Sequence, residues 1–501
     1  MNKRIILDEF AKVINSDRYQ YTESDVFLHE SMQNKIATFD MFFRTTEDGG
    51  FGVVAGVQEV LELIEILNTT DEKIKREYFE KVIVEQELLE FLVRLKFTGS
   101  LHAMRDGEIA YPNEPIITIK APLIEAKILE TPILNIMNMQ MAIATKASRI
   151  TRVAFPVPVI AFGSRRAHGF DSALTGNKAA IIGGCSAHSN LITEYKYNLK
   201  SVGTMSHSYI QVFGVGSEAE KLSFDAFIKC RKERADNSLY LLIDTYSTLK
   251  IGLENAISAF KENNIDDNYH GNYGVRIDSG DLAYLSKKIR ERFDNEGFKK
   301  AKIILTNSLS EKVIKSLKEQ GASVDLYGVG DAIAVSKSRP CFGGVYKIVE
   351  IDNKPLIKIS EDTIKISNPG FKEVYRIYDS NGIAYADLIT LVGEDSDKLK
   401  MINSEELLLK DEKDEFKKSF LKHGEYTYKK LTKLFIENGI ITNEYKSMCD
   451  PLDSQNYYFE NLKNVAIERK RLENPHKYKI NMSTDLLKLK YRLITEINKD
   501  I

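Results

Sequence analysis

Cysteine is scarce in this 501-residue chain: Cys185, Cys230, Cys341 and Cys449 lie far apart, with neither a CxxC pair nor a Cys/His spacing. That excludes a disulfide framework and a structural zinc site as organising elements. No sign of charge dominates, since 70 Lys and Arg stand against 72 Asp and Glu for a net charge of −2. Such a balance argues against nucleic acid held by bulk electrostatics and leaves room only for a local basic site. Long hydrophobic runs are missing too. Thr131 to Thr145 carries no formal charge, but it contains two Asn and a Gln and is too short to span a bilayer, so it reads as a buried helix. The opening MNKRIILDEF has only a three-residue apolar run before Asp8 and lacks the core of a secretory signal. A cytoplasmic protein with no membrane partner is expected. Neither GxxxxGK followed by Ser or Thr nor GxGxxG is present, which disfavours P-loop and Rossmann dinucleotide binding.

What remains is an ordinary globular composition, 43% apolar and 28% charged, long enough for about three domains or one elaborated large one. From Leu101 to Lys120 an Asp106-Gly107 turn separates apolar runs, and Ile117 and Ile119 alternate with polar neighbours, which predicts a hairpin. The same grammar returns in VYKIVEIDNKPLIKIS and VYRIYDSNGIAYADLITLV, so the two regions are expected to share a sheet. We expect a β-rich N-terminal domain over 1–130, joined by 345–395. Between them, short apolar runs at 157–163, 180–184, 200–204, 240–245, 273–278, 302–307 and 324–330 alternate with helical patterns, the signature of βα units. Nearly every run ends in a polar or glycine cluster. An α/β barrel gathers its active site from all its strand ends, whereas a doubly wound sheet uses a few, so a barrel over 131–344 is the reading. The Lys/Glu-rich stretch 396–501 reads as a helical C-terminal extension with solvated faces.

Candidate chemistry sits at those strand ends. His207, in GTMSHS, follows a short strand and has hydroxyl neighbours Thr204, Ser206 and Ser208. In GVRIDSGDL, Arg276 and Asp278 share one side of a strand, either as a structural ion pair or as a carboxylate clamp beside a group for ribose or Mg²⁺. Gly328 and Gly330, with Gly343 and Gly344 soon after, offer backbone amides of the kind that cradle phosphate. Asp244, Arg165 and Asn307 complete the polar rim.

Read together, these segments resemble the nicotinate phosphoribosyltransferase family. The matching stretches include DRYQYT, ATFDMFFR, YPNEPIITIKAPLIEAKILETPILNIMN, FGSRRAHGFDSAL, GGCSAHSN, VGTMSHSY, LLIDTYSTLKIGLENAI, GVRIDSGDLAYLSKKIR, YGVGD, FGGVYKIV and ENPHKYKINMSTDLLKLKYRLI. The resemblance implies an irregular (β/α) barrel of the type II phosphoribosyltransferase kind with a β-rich second domain, and a homodimer. It implies that ATP phosphorylates His207 while nicotinate and phosphoribosyl pyrophosphate are joined with Mg²⁺. Asp244 and Asp278 would then face the ribose, metal or phosphohistidine. Phe162 and Tyr19 would sandwich the pyridine, with Tyr19 arriving from a neighbouring subunit. Arg276 and Arg165 would line the site for carboxylate or phosphate, and the four glycines would hold the 5′-phosphate. The chain departs from the family pattern at Ser186, His188, Ser247 and Asp331. A carboxylate at Asp331 repels phosphate unless it points away or meets a cation. The alternatives are a relative that uses nicotinamide or quinolinate, and a non-catalytic sensor of a phosphate ligand.

Overall fold

The computed structural model describes residues 9–47, 50–361, 365–403, 405–411 and 417–500. The chain forms two compact units, Lys146–Pro340 and a discontinuous one made of Met1–Thr145 with Cys341–Ile501.

Unit Lys146–Pro340 is the barrel. Six strands pair in parallel, in the spatial order Ala187–His188, Val159–Ala161, Leu326–Val329, Lys302–Leu305, Tyr273–Ile277, Leu239–Leu242. A bridge from His188 to Ser201 adds a seventh position. The decisive feature is that the first strand in the chain pairs with the last, Val159 opposite Tyr327. A sheet whose sequential neighbours pair and whose ends then meet is a barrel rather than a doubly wound sheet. Among the described residues one seam lacks strand pairing, between Ser201 and Leu239–Leu242, which makes the barrel irregular. The strands are short and wholly or largely buried, as in LYLL at Leu239–Leu242, because both faces are covered. Side-chain caps start several of the following helices: Ser206 accepts from the Tyr209 amide, Asp281 from Tyr284 and Ser310 from Val313.

Two expected strands are absent: 200–204 contributes only the single bridge at Ser201, and 180–184 closes a helix. Residues 180–184 end the helix Phe170–Ile182, and the strand forms later at Ala187–His188. Alanine and isoleucine continue the helical face, and Gly184, at φ +104°, turns the chain only afterwards.

The second unit is β-rich. Its seven-stranded antiparallel sheet runs Lys354–Pro355, Gly344–Ile351, Ile36–Phe43, Ile117–Pro122, Ser100–Met104, Thr432–Glu437, Ile440–Ile441. The 101–120 region and Gly344–Ile351 thus share a sheet, with Ile36–Phe43 between them, whereas the expected second partner, VYRIYDSNGIAYADLITLV, lies in a separate sheet. The expected hairpin pairs Leu101 with Ile119 and Ala103 with Ile117. Its connection is longer than a two-residue turn, because Ile109–Ala110 pairs instead with Gly52–Val53. A six-stranded sheet holds the Lys372–Asp379 and Ala384–Leu391 hairpin, turned at Gly382 with φ +76°. The helix Val57–Thr69 buries Val60, Leu61, Ile64 and Leu67 at helical spacing in this unit's core. Arg376 is buried there between Asp387 and Glu108, 2.7 and 2.9 Å away.

The C-terminal end is helical at Pro451–Lys463 and Thr484–Asp500. The lysine-rich residues before it correct the sequence reading: Leu407–Asp411, Lys418–Leu421, Tyr426–Lys430 and Thr432–Glu437 are strands. Leu407 and Leu409 alternate with less buried neighbours, a period-2 pattern that the helix-favouring lysines mask. Among the described residues no helix is long and apolar enough to cross a membrane.

Candidate active site

A cavity of about 490 Å³ opens at the C-terminal ends of the barrel strands. Phe162, Arg165, His207, Arg276 and Asp278 line it, with Thr204 and Met205. Five of the residues singled out in the sequence therefore converge on one space.

His207 begins the short helix His207–Val212, so the turn that follows Ser201 delivers its ring to the cavity. Its Nδ1 lies 3.0 Å from Thr245 Oγ1, and its Nε2 lies 3.9 Å from Asp244 Oδ1. The His207 side chain is 40% exposed whereas that of Asp244 is 1% exposed, so the imidazole meets a ligand and the carboxylate stands behind it. Asp244 is held by its other oxygen: Oδ2 accepts from the Asp278 amide at 3.0 Å and from the Ser279 hydroxyl. Its Oδ1 is buried without a hydrogen-bond partner. A buried carboxylate oxygen left bare beside an imidazole is costly unless that ring gains a proton or a positive charge.

Arg276 is only partly free. Nε donates to Thr306 Oγ1 at 3.1 Å, Nη1 to Thr204 Oγ1 at 2.9 Å and to the Met205 carbonyl at 3.2 Å, and Nη2 lies 3.4 Å from Asp278 Oδ1. Thr306 also donates to Asp278, tying the pair into one network. These bonds fix the guanidinium, and Nη2 keeps the capacity left for a ligand in the cavity that Arg276 lines. Asp278, 30% exposed, is the more accessible of the two carboxylates.

The glycines divide. A Cβ on Gly328 would come within 2.6 Å of both the Phe162 ring and Thr306 Cγ2, so this glycine lets the aromatic ring lie close to the strand. At Gly330 the nearest atom to a Cβ is the Phe162 carbonyl oxygen, 3.8 Å away, which leaves the backbone open. Gly343, at φ +82°, and Gly344 belong to the other unit, where the Gly344 amide already donates to Asn138 Oδ1 at 2.6 Å. Asn307 is exposed just beyond Lys302–Leu305, at φ +83°. Tyr19 lies on the helix Arg18–His29 of the other unit, with the Lys127 ammonium 4.8 Å from its ring centroid. Burial, with the neighbouring Glu130 carboxylate, raises its phenol.

Three of the four departures from the family pattern, at His188, Ser186 and Asp331, resolve into structure. Buried His188 bonds the Leu199 carbonyl through Nε2 at 3.0 Å and receives the Asn190 amide at Nδ1, 3.2 Å away. Desolvation holds it below the usual histidine range, so it is a neutral ring with both nitrogens used. Ser186 donates to the Val159 carbonyl. Asp331 pairs with Lys337 at 3.2 Å, the cation that a carboxylate there requires.

Two residues escaped the sequence reading: Thr245 against His207, and Thr306 between Arg276 and Asp278. Among the described residues no three His, Cys, Asp or Glu side chains converge as a metal cage.

Comparison with known proteins agrees with this architecture. Residues 14–138 match the nicotinate phosphoribosyltransferase (NAPRTase) N-terminal domain and residues 371–490 its C-terminal domain. The chain is 36% identical over 498 residues to a Bacillus subtilis nicotinate phosphoribosyltransferase, covering 97% of this chain and 96% of that one. It is 28% identical to the Caenorhabditis elegans protein of the same name, across 97% of this chain and 94% of that one. The crystal structure of human nicotinic acid phosphoribosyltransferase shares the fold, with a TM-score of 0.80 at 22% identity over 96% of this chain and 100% of that one. By its sequence the chain belongs to the nicotinate phosphoribosyltransferase family.

Proposed function

We propose that this protein joins nicotinate to phosphoribosyl pyrophosphate, releasing nicotinate mononucleotide and pyrophosphate, and that ATP drives the reaction through a phosphohistidine at His207. One observation carries the reading: an exposed imidazole in the barrel mouth backed by the buried, half-unpartnered carboxylate of Asp244. A neutral imidazole takes a phosphoryl group as nucleophile, and the nearby carboxylate stabilises the positive ring that results. Phosphoryl transfer to the ring and later hydrolysis turn ATP and water into ADP and phosphate.

In the glycosidic step the pyridine nitrogen forms a bond to ribose C1 as the bond to pyrophosphate breaks. That nitrogen needs positioning, not deprotonation. Phe162 supplies a stacking face, Arg276 an edge for the substrate carboxylate, and Arg165 a cation for phosphate. Gly330 offers open backbone for the 5′-phosphate, and Asn307 a polar rim. Asp278 is the accessible carboxylate for Mg²⁺, which binds mostly through phosphate oxygens and neutralises the leaving pyrophosphate when present. Asp244 Oδ1 is sealed from solvent and is reserved for His207.

A homodimer belongs to the same reading. Leu191, Tyr195, Val212 and Val215, on or just beyond the helices Leu191–Tyr197 and His207–Val212, are exposed apolar residues that a second copy could cover. Tyr19 would enter the partner's site.

The test is pyrophosphate release by purified protein with phosphoribosyl pyrophosphate, Mg-ATP and each of nicotinate, nicotinamide and quinolinate. Release with nicotinate, stimulated by ATP, is expected. A preference for another pyridine would assign a different substrate, and no release with any would point to a ligand sensor.

A further inference from the structure

The first turn of the helix Arg18–His29 is stapled to a distant part of the chain. Gln20, fully buried, donates through Nε2 to the Lys127 carbonyl at 3.0 Å. Ser16 Oγ donates to the Ile128 carbonyl at 3.4 Å, and Thr131 Oγ1 donates to Asp17 Oδ2 at 3.0 Å. Lys127 and Ile128 end the helix Leu123–Ile128, and Glu130 and Thr131 open the helix Glu130–Ala154. The backbone of Tyr19, in that first turn, is therefore fixed to this corner. Its side chain needs a separate restraint, because the residue is 42% exposed. A half-exposed tyrosine ring samples several staggered rotamers unless something holds one face.

Lys127 holds it. The ammonium lies over the phenol ring, 4.8 Å from the centroid. Two carboxylates from different elements keep the ammonium there: Glu23, on the same helix as Tyr19, at 2.9 Å, and Glu130 at 3.2 Å. The Lys127 and Glu130 side chains are 13% and 12% exposed, so the cation is drawn out of solvent although its stem is long enough to reach water. An ordinary ion pair needs one partner and no ring. Here an ammonium largely out of water gives protons to two carboxylates and lies over an aromatic face, the setting in which a cation–π contact is strong. The part of the Tyr19 ring left open to solvent is the part that Lys127 does not cover.

We propose that Lys127 is a positioning residue for Tyr19: by covering one face of the phenol ring it fixes the orientation of the ring, so that the uncovered face is ready to stack on the planar pyridine of the substrate. The inference rests on the reading that Tyr19 enters the partner's site. A ring fixed before the ligand arrives loses no rotamer freedom on binding. Stacking acts on the pyridine alike before and during bond formation, so the effect falls on KM for nicotinate far more than on kcat. The positive charge at this position matters, and arginine, which also stacks on aromatic faces, can supply it.

Two measurements on the full-length protein test this. The first is steady-state turnover at saturating Mg-ATP and phosphoribosyl pyrophosphate with nicotinate varied, in wild type, Tyr19→Ala, Lys127→Met, Lys127→Arg and the double variant Tyr19→Ala/Lys127→Met. Lys127→Met should raise KM for nicotinate by about fivefold, the scale of one cation–π contact, while kcat changes by less than about twofold. Lys127→Arg should restore the wild-type KM, and Lys127→Met should add nothing once Tyr19 is alanine. The second needs no turnover. The chain contains no tryptophan, so Tyr19→Trp introduces a single emitter at this position. Its time-resolved anisotropy should report a ring that moves with the whole protein, and adding Lys127→Met should release a fast local component. If Lys127→Met does not fold, Lys127→Gln, which keeps a donor for the two carboxylates without the charge, takes its place in both measurements. An anisotropy decay that the loss of Lys127 leaves as it was overturns the proposal, and so does a rise in KM of the same size with and without Tyr19. A raised KM in Tyr19→Ala with no effect of Lys127→Met overturns the role of Lys127 and leaves Tyr19 at the pyridine. An unchanged KM in Tyr19→Ala, or no turnover of the wild type, together with a released fast component, overturns the reading of Tyr19 and leaves its ring held by Lys127.

Discussion

His207 Nδ1 and Thr245 Oγ1 meet at 3.0 Å across the seam where the barrel strands fail to pair. A side-chain hydrogen bond there joins the start of the helix His207–Val212 to the loop after Leu239–Leu242, which no backbone ladder links, and it fixes the rotation of the ring that faces the cavity. Thr245→Val keeps the shape and removes the hydroxyl. It should slow ATP hydrolysis by roughly tenfold, the cost of about 1–2 kcal/mol for one lost orienting bond, while Thr245→Ser retains most of the rate. Steady-state ATPase assays distinguish the two.

Arg276 should set the preference for acid over amide. Replacing it by Gln removes the charged edge, and kcat/KM for nicotinate should fall by about a hundredfold, the scale of a charged hydrogen bond of about 2–3 kcal/mol. Nicotinamide should lose far less. Equal losses would mean that the bonds to Thr204, Thr306 and Asp278 make Arg276 a purely structural residue.

Gly328→Ala tests the seat of the aromatic ring. A methyl group 2.6 Å from both Phe162 and Thr306 must displace one of them, at about 1–3 kcal/mol of stability. The KM for nicotinate should rise, with little change in ATP hydrolysis in the absence of nicotinate.

Stability should also follow pH through Glu220. Its carboxyl stands at about 7 in the folded protein against an ordinary 4.5. The folded state therefore keeps a proton that the unfolded chain releases. That contribution is fully present below the ordinary value and is lost as pH rises through about 7, by up to about 3 kcal/mol. Urea unfolding at pH 5 and pH 8 should show a smaller loss for Glu220→Gln than for the wild type.

Shared sites make a prediction of their own. Inactive Tyr19→Ala and His207→Ala proteins, mixed under conditions of subunit exchange, should regain part of their activity as heterodimers. Absence of recovery after demonstrated exchange would confine each site to a single chain.

Much of this was legible in the sequence because barrel strands advertise themselves: short apolar runs end in polar clusters, and His207, Arg276, Asp278, Phe162 and Arg165 all fall at such ends. The glycines were harder to read. Spacing shows a GxG but not that Gly328 makes room for Phe162 while the Gly344 amide is spent on Asn138. Lysine-rich strands were hidden because Lys and Glu favour helices locally, and pairing with distant strands, Thr432–Glu437 with Ser100–Met104 and Tyr426–Lys430 with Lys372–Asp379, overrides that preference. Thr245 gave no signal at all, because it matters through His207, a neighbour 38 residues away.

The most direct test of the central claim is to incubate the protein with Mg-ATP alone and map the covalent phosphate. The account predicts an acid-labile, base-stable label on the peptide that carries His207, and loss of both label and ATP hydrolysis in His207→Asn, with at most a slow ATP-independent transfer remaining. Full ATP-stimulated turnover in His207→Asn, or a label on His168 or His188, would contradict it.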